Sequence, residues 1–386
     1  MKRVLTVGKE KNTEVINERK IKKRIDIKFL ILLILLLVIG SLMIFSASFP
    51  YSKAHFNDGF YYTKRQLIFL AIGIGVMLLC SKIKIEFYKK ISPYIYFTCV
   101  LLLVLVLFGG FSEGVAKRWL GIPGTPLSFQ PSELMKIGII LMLSWYIDKT
   151  KSKKQNMLVE IVVPGVIILG ACGLVMLEKH LSGTVIIAFI AVSVLFISGV
   201  NVVKMIFTYG GLGALGGGVF LLTNSYALKR IESFFNPNAD ILSDKWQTTQ
   251  GLYAAGSGGL WGLGFFSSRQ KYSYVSEPQN DFIFTIFCEE MGFVGAVIVI
   301  TMYFLLILRG YQIAFQTKDT FAKLVAFGIT SQIGIQAFLN MMVVLDLLPN
   351  TGISLPFFSY GGSSLVILLF EMGILLSISK NSNALC

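Results

Sequence analysis

The chain has 386 residues, of which 54% are hydrophobic and only 15% are charged, so its composition excludes a soluble globular enzyme. The formal net charge of +14 could suggest a nucleic-acid partner, but the basic residues lie in clusters, ten of them before Phe29 and others at 82–90 and 149–154. Such clusters are typical of the cytoplasmic loops of membrane proteins, so we expect membrane lipid and no nucleic acid as the surroundings of this chain.

Uncharged segments long enough to cross a bilayer recur along the whole sequence. They are continuous rather than alternating, which argues against a β-barrel and predicts an all-α polytopic membrane protein. Ten transmembrane helices are expected, at 28–49, 66–82, 91–111, 131–148, 158–178, 183–200, 203–223, 281–308, 321–346 and 359–379. With the basic N-terminus inside, an even number of spans places both termini in the cytoplasm.

Three regions are expected along the chain. Residues 1–27 form a basic cytoplasmic tail, residues 28–380 form the ten-helix membrane domain, and residues 381–386 form a short cytoplasmic C-terminus. The basic start followed by an apolar run imitates a secretory signal. Both parts are longer than in a signal peptide, so we expect the first helix to be retained.

Residues 224–280 form the longest predicted loop, on the extracytoplasmic side between helices 7 and 8. Within it, Trp246–Ser268 is uncharged and could be an extra span, which would move the C-terminus outside. Six glycines and a polar first half make exposure to lipid unfavourable. We therefore expect an interfacial or re-entrant segment, and a loop of this length is usually functional.

The stretch KRWLGIPGTPLSFQPSELMK, Lys117–Lys136, leads into helix 4 on the outer face. Pro131 suits the first turn of a helix, and Glu133 and Lys136 are spaced to share one helix face. A capped helix start with a local ion pair is the simplest interpretation. However, a lysine one turn inside a membrane helix is costly unless it faces a partner or a wet cavity.

Two further outer stretches carry polar residues. Leu177–Thr184 contains Glu178, Lys179 and His180, and we interpret it as a solvated turn. Leu348–Leu365 contains two prolines, three glycines and several hydroxyl groups directly before the last helix. Irregular backbone at this depth is tolerated only where protein or water covers it, so this stretch is expected to line a cavity.

The stretch QNDFIFTIFCEE places Asp281 at the start of helix 8 and Glu289 and Glu290 farther along it. Asp281 could cap the helix or could belong to a functional site. The two glutamates lie roughly 12–14 Å deeper at the helical rise. They are therefore expected to satisfy polar neighbours inside the bundle rather than to share a reacting atom with Asp281.

Four sequence blocks, in this order, resemble the SEDS family of membrane proteins (shape, elongation, division and sporulation). They are RW…FQPSELMK, NP…Q…SGGLWGLG, EPQNDFIF…EEMGFVGA and LPNTGISLPFFSYGGSSL, within a match from about residue 30 to 380. The resemblance implies a ten-helix fold and peptidoglycan glycosyltransferase activity on lipid II. It also implies a complex with a class B penicillin-binding protein and other divisome proteins. The stretch Ser267–Phe284 is more similar to the division and sporulation members than to the elongation member.

The resemblance identifies Asp281 with the essential aspartate of the family, a general base that inverts the anomeric centre. Lys117, Arg118 and Lys136 become candidates for binding pyrophosphate, or Lys136 for orienting Asp281. A set of weaker candidates for sugar or phosphate contacts comprises Gln130, Ser132, Glu133, Ser363 and Ser364. No resident cofactor is expected, although a divalent cation, Mg²⁺ or Mn²⁺, could bridge the pyrophosphate. The long loop with Lys229, Arg230 and Lys271 is expected to cover the substrate.

The chain departs from the common family pattern around 179–184 and at Ser276 and Gln279, which puts in doubt any role for that turn but leaves Asp281 unaffected. Two other functions remain open. A lipid II flippase would move the substrate without forming a bond, and transporters of that kind often place charges near the midplane. A scaffold of the division machinery would need no catalytic residue.

Overall fold

A computed structural model describes residues 25–112, 117–122, 128–151, 158–223, 228, 232–236, 245–272, 274–275 and 277–382. Most of the basic tail, the last four residues, and Lys229 and Arg230 of the long loop lie outside the described residues. The helices are α1 Ile27–Phe56, α2 Tyr61–Cys80, α3 Ile85–Gly109, α4 Pro131–Thr150, α5 Leu158–Leu177, α6 Leu181–Ile197, α7 Val203–Leu222, α8 Trp246–Ser257, α9 Ile283–Gln316, α10 Thr320–Val344 and α11 Gly362–Ser382.

Each of the ten predicted spans is occupied by a long helix, which confirms the polytopic all-α fold. Eight described helices are long and apolar enough to cross a membrane, and α6 is slightly shorter at 17 residues. The remaining one, α4, is interrupted by charged residues but is largely buried inside the bundle. In contrast, α8 has only 12 residues, about 18 Å at the helical rise, so it is too short to be the extra span.

The centre of the bundle is α4, which packs against α3, α6 and α10. Around it, α11 packs against α2, and α9 packs against α1, α8 and α10. Gly328 on α10 explains the close approach of three of these helices. A Cβ at this position would lie 2.8 Å from Ile140 on α4 and 2.9 Å from Val194 on α6. Small residues commonly bring membrane helices together in this way.

Both ends of the described chain lie at one face of the bundle. Asp26 caps α1 by accepting from Phe29 N at 3.0 Å, and it forms an ion pair of 2.8 Å with Arg309 near the end of α9. Its backbone N–H donates to Ser379 Oγ on α11 at 3.4 Å. This arrangement agrees with an even number of crossings. Asp281 precedes the first turn of α9 and therefore lies at the opposite face.

A small antiparallel sheet covers part of the face that carries Asp281. It is formed by β1 Phe111–Ser112, β2 Lys117–Gly121 and β3 Ser128–Phe129, in that order. The sequence predicted only a turn here. The strands are two to five residues long and their sides are only partly buried, so they leave almost no hydrophobic pattern.

The segment after α8 enters the bundle against an interruption of α9. At Gly292 the backbone of α9 is non-helical, with φ 67° and ψ −170°. The interruption frees backbone groups, and the loop binds them: Leu263 N donates to Glu289 O at 3.0 Å, and Phe293 N donates to Gly259 O at 2.9 Å. This agrees with the expected re-entrant segment, because the irregular backbone is covered by protein.

Candidate functional site

Asp281 lies in the turn that leads into α9, and its side chain is half-buried. Because α9 begins at Ile283, the capping position belongs to Phe282 rather than to Asp281, and Phe282 makes no side-chain cap. The carboxylate instead adjoins Gly352, where a Cβ would lie 3.2 Å from Asp281 Oδ2 and where φ is +68°. Glycine at this position therefore leaves room for the carboxylate.

Lys136 is a buried cation near this face, with 2% of its surface exposed. Its Nζ forms an ion pair with Glu133 at 2.7 Å and donates to Gln336 Oε1 at 3.0 Å. Ser364 Oγ donates to the same Glu133 oxygen at 3.2 Å. The ion pair predicted from the three-residue spacing is therefore present, and α10 and α11 each add a polar partner to it.

One stripe of α10 connects the Lys136 ion pair to the Asp281 segment. Asn340 Nδ2 donates to Asp281 O at 2.8 Å and to Ile353 O at 2.7 Å. Gln336, the partner of Lys136, lies one turn earlier on the same face, about 6 Å along the axis. Gln332 lies a further turn along and donates to Glu371, which is fully buried on α11. The polar stripe of α10 thus binds Lys136 and the Asp281 segment at positions one helical turn apart.

The turn between α5 and α6 is solvated only at Lys179, because its other two polar residues, Glu178 and His180, are buried. Glu178 is 3% exposed and His180 is 9% exposed. Gln130 Nε2 and Ser132 Oγ lie 3.2 and 3.3 Å from His180 Nδ1, and Arg118 Nη2 donates to the carbonyl of Lys179 at 2.6 Å. The sheet and the start of α4 cover this turn, which is why its polar residues are enclosed.

Burial favours the neutral forms of Glu178 and His180 at pH 7. It raises the pKa of the Glu178 carboxyl to about 8, against a smaller opposite effect of Arg118. Burial also lowers the pKa of His180 to about 3, and the positive charges of Arg118 and Lys136 lower it further. Because the Glu178 carboxyl is neutral, Arg118 faces this turn without an anion from it, whereas Lys136 is paired with Glu133.

Other candidates lie at the edges of this region. Lys117 begins β2 with an exposed side chain, and Ser363 lies half-buried in the first turn of α11 beside Ser364. The structure thus brings Arg118, Gln130 and Ser132 together around the turn, and Glu133, Lys136 and Ser364 together beneath it.

Glu289 and Glu290 take no part in the site, as expected. Both are buried, and they bind the loop that precedes Asp281: Arg269 N donates to Glu289 at 2.9 Å, and Lys271 forms an ion pair of 3.0 Å with Glu290. Lys271 is also fully enclosed, so the expectation that it covers a substrate is wrong. Its positive charge is paired with Glu290 inside the bundle.

Sequence reasoning overlooked Gln336 and Asn340, and it assigned His180 to a solvated turn. The two α10 residues had a usable signal, because Gln332, Gln336 and Asn340 recur every four positions on an otherwise apolar helix. Polar side chains at that spacing in a membrane helix share one face and need partners. His180 had no comparable signal, since only the fold buries its turn.

The chain was compared with known proteins. The model of a family described as cell cycle proteins, of the FtsW, RodA and SpoVE type, matches residues 27–384. Stage V sporulation protein E of Bacillus subtilis is 38% identical over 362 residues, which cover 92% of this chain and 97% of that protein. A protein of Trichlorobacter lovleyi named probable peptidoglycan glycosyltransferase FtsW is 37% identical over 358 residues, which cover 92% and 93% of the two chains.

Solved structures share the same fold. The rod shape determining protein RodA of Thermus thermophilus is 25% identical with a TM-score of 0.68, over 92% of this chain and 96% of RodA. A chain of a peptidoglycan synthase complex, solved to explain how polymerization and crosslinking are coordinated, is 23% identical with a TM-score of 0.76, over 93% and 98% of the two chains. The second likeness concerns the fold alone. The family match over residues 27–384 includes all elements that form the site.

Proposed function

This chain belongs to the cell cycle protein family of FtsW, RodA and SpoVE, the SEDS family, and we propose that it is a peptidoglycan glycosyltransferase that polymerises lipid II into glycan strands. Relatives that carry this activity in their names support the reaction class. Greater identity to SpoVE and FtsW than to RodA supports a role in cell division or sporulation.

The observation that carries the proposal is the placement of Asp281. Its half-buried carboxylate lies at one face of the bundle beside Gly352. Its backbone carbonyl accepts from Asn340, which lies one helical turn from Gln336, the partner of buried Lys136. A sugar hydroxyl is a weak nucleophile and needs a positioned base. In the proposed step, Asp281 takes the proton from the C4 hydroxyl of the acceptor. The hydroxyl oxygen bonds to the anomeric carbon as the bond to undecaprenyl pyrophosphate breaks, with inversion.

The leaving pyrophosphate takes the bonding electron pair and needs nearby positive charge. Arg118 supplies it beside the neutral Glu178 and His180, and Lys136 adds a second cation whose ammonium group is held by Glu133. Exposed Lys117 is placed to attract the phosphates from solvent. Gln130 and Ser132 act through His180, which they contact, and so help to shape the turn under Arg118.

The remaining candidates support Lys136 or the sugar. Glu133 and Ser364 hold Lys136 through the ion pair and the hydroxyl contact, and Ser363 lies beside them for a sugar or phosphate contact. Since Glu133 carries the only carboxylate that pairs with Lys136 among the described residues, it fixes the direction of the ammonium group.

The residues present do not fit a resident divalent cation at the pyrophosphate. Among the described residues no three His, Cys, Asp or Glu side chains cluster, and Glu133 is already bound by Lys136 and Ser364. A Mg²⁺ or Mn²⁺ ion would enter with the phosphates of the substrate, as magnesium commonly does. Every step above therefore uses groups of the chain itself.

The proposal extends to location and partners. The chain would lie in the bacterial cell membrane with both termini in the cytoplasm, so that Asp281 faces outward. Contacts that place both described ends at one face support this topology. A class B penicillin-binding protein and other divisome proteins would assemble with it, and the likeness of fold to a chain of a synthase complex supports such a partner.

Purified protein, alone and with its penicillin-binding partner, should convert labelled lipid II into glycan chains that are resolved by gel electrophoresis. A parallel assay measures movement of lipid II across reconstituted vesicles. Polymer that disappears in Lys136→Met supports the enzyme. Translocation without polymer would instead establish a flippase, and a chain that does neither in the presence of its partner would be a scaffold.

A further inference from the structure

Glu178 directly follows α5, and its carboxyl is enclosed without a hydrogen bond. The residue is 3% exposed, and neither Oε1 nor Oε2 has a hydrogen-bond partner among the described residues. The backbone around it is fixed, because Glu178 N donates to Leu174 O at 3.3 Å and Lys179 N donates to Met176 O at 2.9 Å. A well-ordered turn therefore holds a buried carboxyl that the proposed reaction does not use.

Arg118 on β2 is the cation that acts on this carboxyl. Its Nη2 donates to the carbonyl of Lys179 at 2.6 Å, so the guanidinium lies against the backbone of the residue that follows Glu178. Its positive charge opposes the effect of burial on the pKa of Glu178. The two groups therefore face the same turn, although the Glu178 oxygens make no hydrogen bond to the guanidinium.

The other charged groups of this region keep their charge near neutral pH. Lys136 is held by Glu133 at 2.7 Å, and the side chain of Lys179 is exposed. Burial, reinforced by nearby cations, lowers the pKa of His180 to about 3, so this ring stays neutral at pH 7 and above. Glu178 is consequently the group of the turn whose charge changes just above neutral pH, since burial raises its pKa to about 8.

An ionised Glu178 would bind the guanidinium of Arg118 strongly. A buried carboxylate is unfavourable unless it is paired, and a guanidinium can bind a carboxylate through two parallel N–H groups. The oxygens of a pyrophosphate bind the same N–H groups in the same way. One guanidinium cannot satisfy both anions fully, so the carboxylate and the pyrophosphate would compete for it.

We propose that Glu178 is a positioning residue for Arg118: its neutral carboxyl lets the guanidinium bind the leaving pyrophosphate, whereas its ionised carboxylate binds the guanidinium inside the turn. The inference rests on the proposed glycosyltransferase function and adds an internal competitor for the cation that stabilises the leaving group. Binding of the pyrophosphate and binding of a proton to Glu178 therefore favour each other. Turnover of lipid II falls as the pH rises through the pKa of this carboxyl.

The test is the pH dependence of kcat/KM for lipid II, which reports groups that ionise in the free enzyme. The pyrophosphate of lipid II is a diester and keeps its charge between pH 7 and 9. With a pKa of about 8, the neutral fraction of Glu178 falls about tenfold over this range. The kcat/KM of Glu178→Gln, divided by that of the unaltered protein, should therefore rise about tenfold from pH 7 to 9. Glu86→Gln, which changes an exposed carboxyl at the start of α3, should follow the unaltered profile.

Glu178→Met is a second variant without a charge, and its apolar side chain of similar length suits a buried position. It should show the same rise, whereas a merely structural role would change kcat/KM by one factor at every pH. A ratio that stays within about twofold from pH 7 to 9 in either variant overturns the inference. So does an unaltered protein whose kcat/KM is constant across this range. Failure of the proposed function is distinct, because then the unaltered protein forms no glycan from lipid II at any pH.

Discussion

Replacing Lys271 by methionine should destabilise the protein strongly. Both members of the Lys271–Glu290 ion pair are fully buried, with side-chain exposures of 0%. The ammonium group also donates to Ser46 Oγ on α1 at 3.1 Å and to the carbonyl of Phe266 at 2.7 Å. All three of its hydrogens are therefore used, and one side chain joins α1, α9 and the loop that precedes Asp281.

The size of the effect follows from the charge that is left behind. Lys271→Met removes the cation but leaves the Glu290 carboxylate buried, and breaking a buried pair in this way costs about 3–5 kcal/mol. Adding Glu290→Gln removes that charge while keeping a group that Ser46 can still contact. The double variant should therefore recover at least about 2 kcal/mol of the loss. An exposed pair, Lys64–Asp58, provides the control, and Lys64→Met should leave the stability almost unchanged.

The measurement is thermal unfolding in detergent, followed with a dye that reacts with thiols as they become exposed. The chain is suited to it because Cys80, Cys99 and Cys288 are free and buried, and Cys288 lies on α9 beside the glutamates. A Lys271→Met variant that unfolds like the Lys64→Met control would refute the reasoning. So would a double variant that is no more stable than Lys271→Met.

Two further changes test the turn and the helix interruption. The folded pKa of Glu178, about 8, lies above its ordinary value, so the contribution of this carboxyl to stability should fall by about 1.4 kcal/mol per pH unit between pH 4.5 and 8. The lowered pKa of His180 acts in the opposite direction below pH 6.5 but is common to both proteins, so the test is the difference in unfolding free energy between the unaltered protein and Glu178→Gln. That difference should fall steadily as the pH rises through this range, and parallel profiles would contradict it. Gly292→Ala should cost at least about 1–3 kcal/mol in the same assay, because φ is +67° and a Cβ would lie 2.3 Å from Gly262 N. Gly75→Ala, on an open helix surface, should be neutral or stabilising, and equal losses in the two variants would argue against a strained position.

The sequence predicts the spans well but their ends poorly. Hydropathy records how much of a helix the lipid contacts, whereas helix ends are set by caps and neighbouring segments. For example, α1 continues through Pro50 to Phe56, past the predicted end at 49, and α9 continues to Gln316 rather than 308. Hydropathy also does not reveal the interruption at Gly292, because it depends on backbone contacts with the preceding loop that exist only in the folded protein.

The candidate site was only partly predictable for a similar reason. Glu133 and Lys136 interact across one helical turn, so their spacing alone predicts the pair. The burial of Glu178 and His180 depends on the small sheet and on α4, which come from other parts of the chain. Likewise, the spacing of Gln336 and Asn340 shows that they share a face, but only the packed bundle shows that this face meets Lys136 and Asp281.

The role of Asp281 as general base is tested most directly by turnover of labelled lipid II in Asp281→Asn, which keeps the size of the side chain but cannot accept the proton. The matched control is Asp58→Asn, an exposed carboxylate near the same face. We predict that Asp281→Asn lowers kcat by a factor of about 10²–10⁴ while lipid II still binds, and that Asp58→Asn polymerises normally. Polymerisation by Asp281→Asn within about tenfold of the unaltered rate would contradict the account.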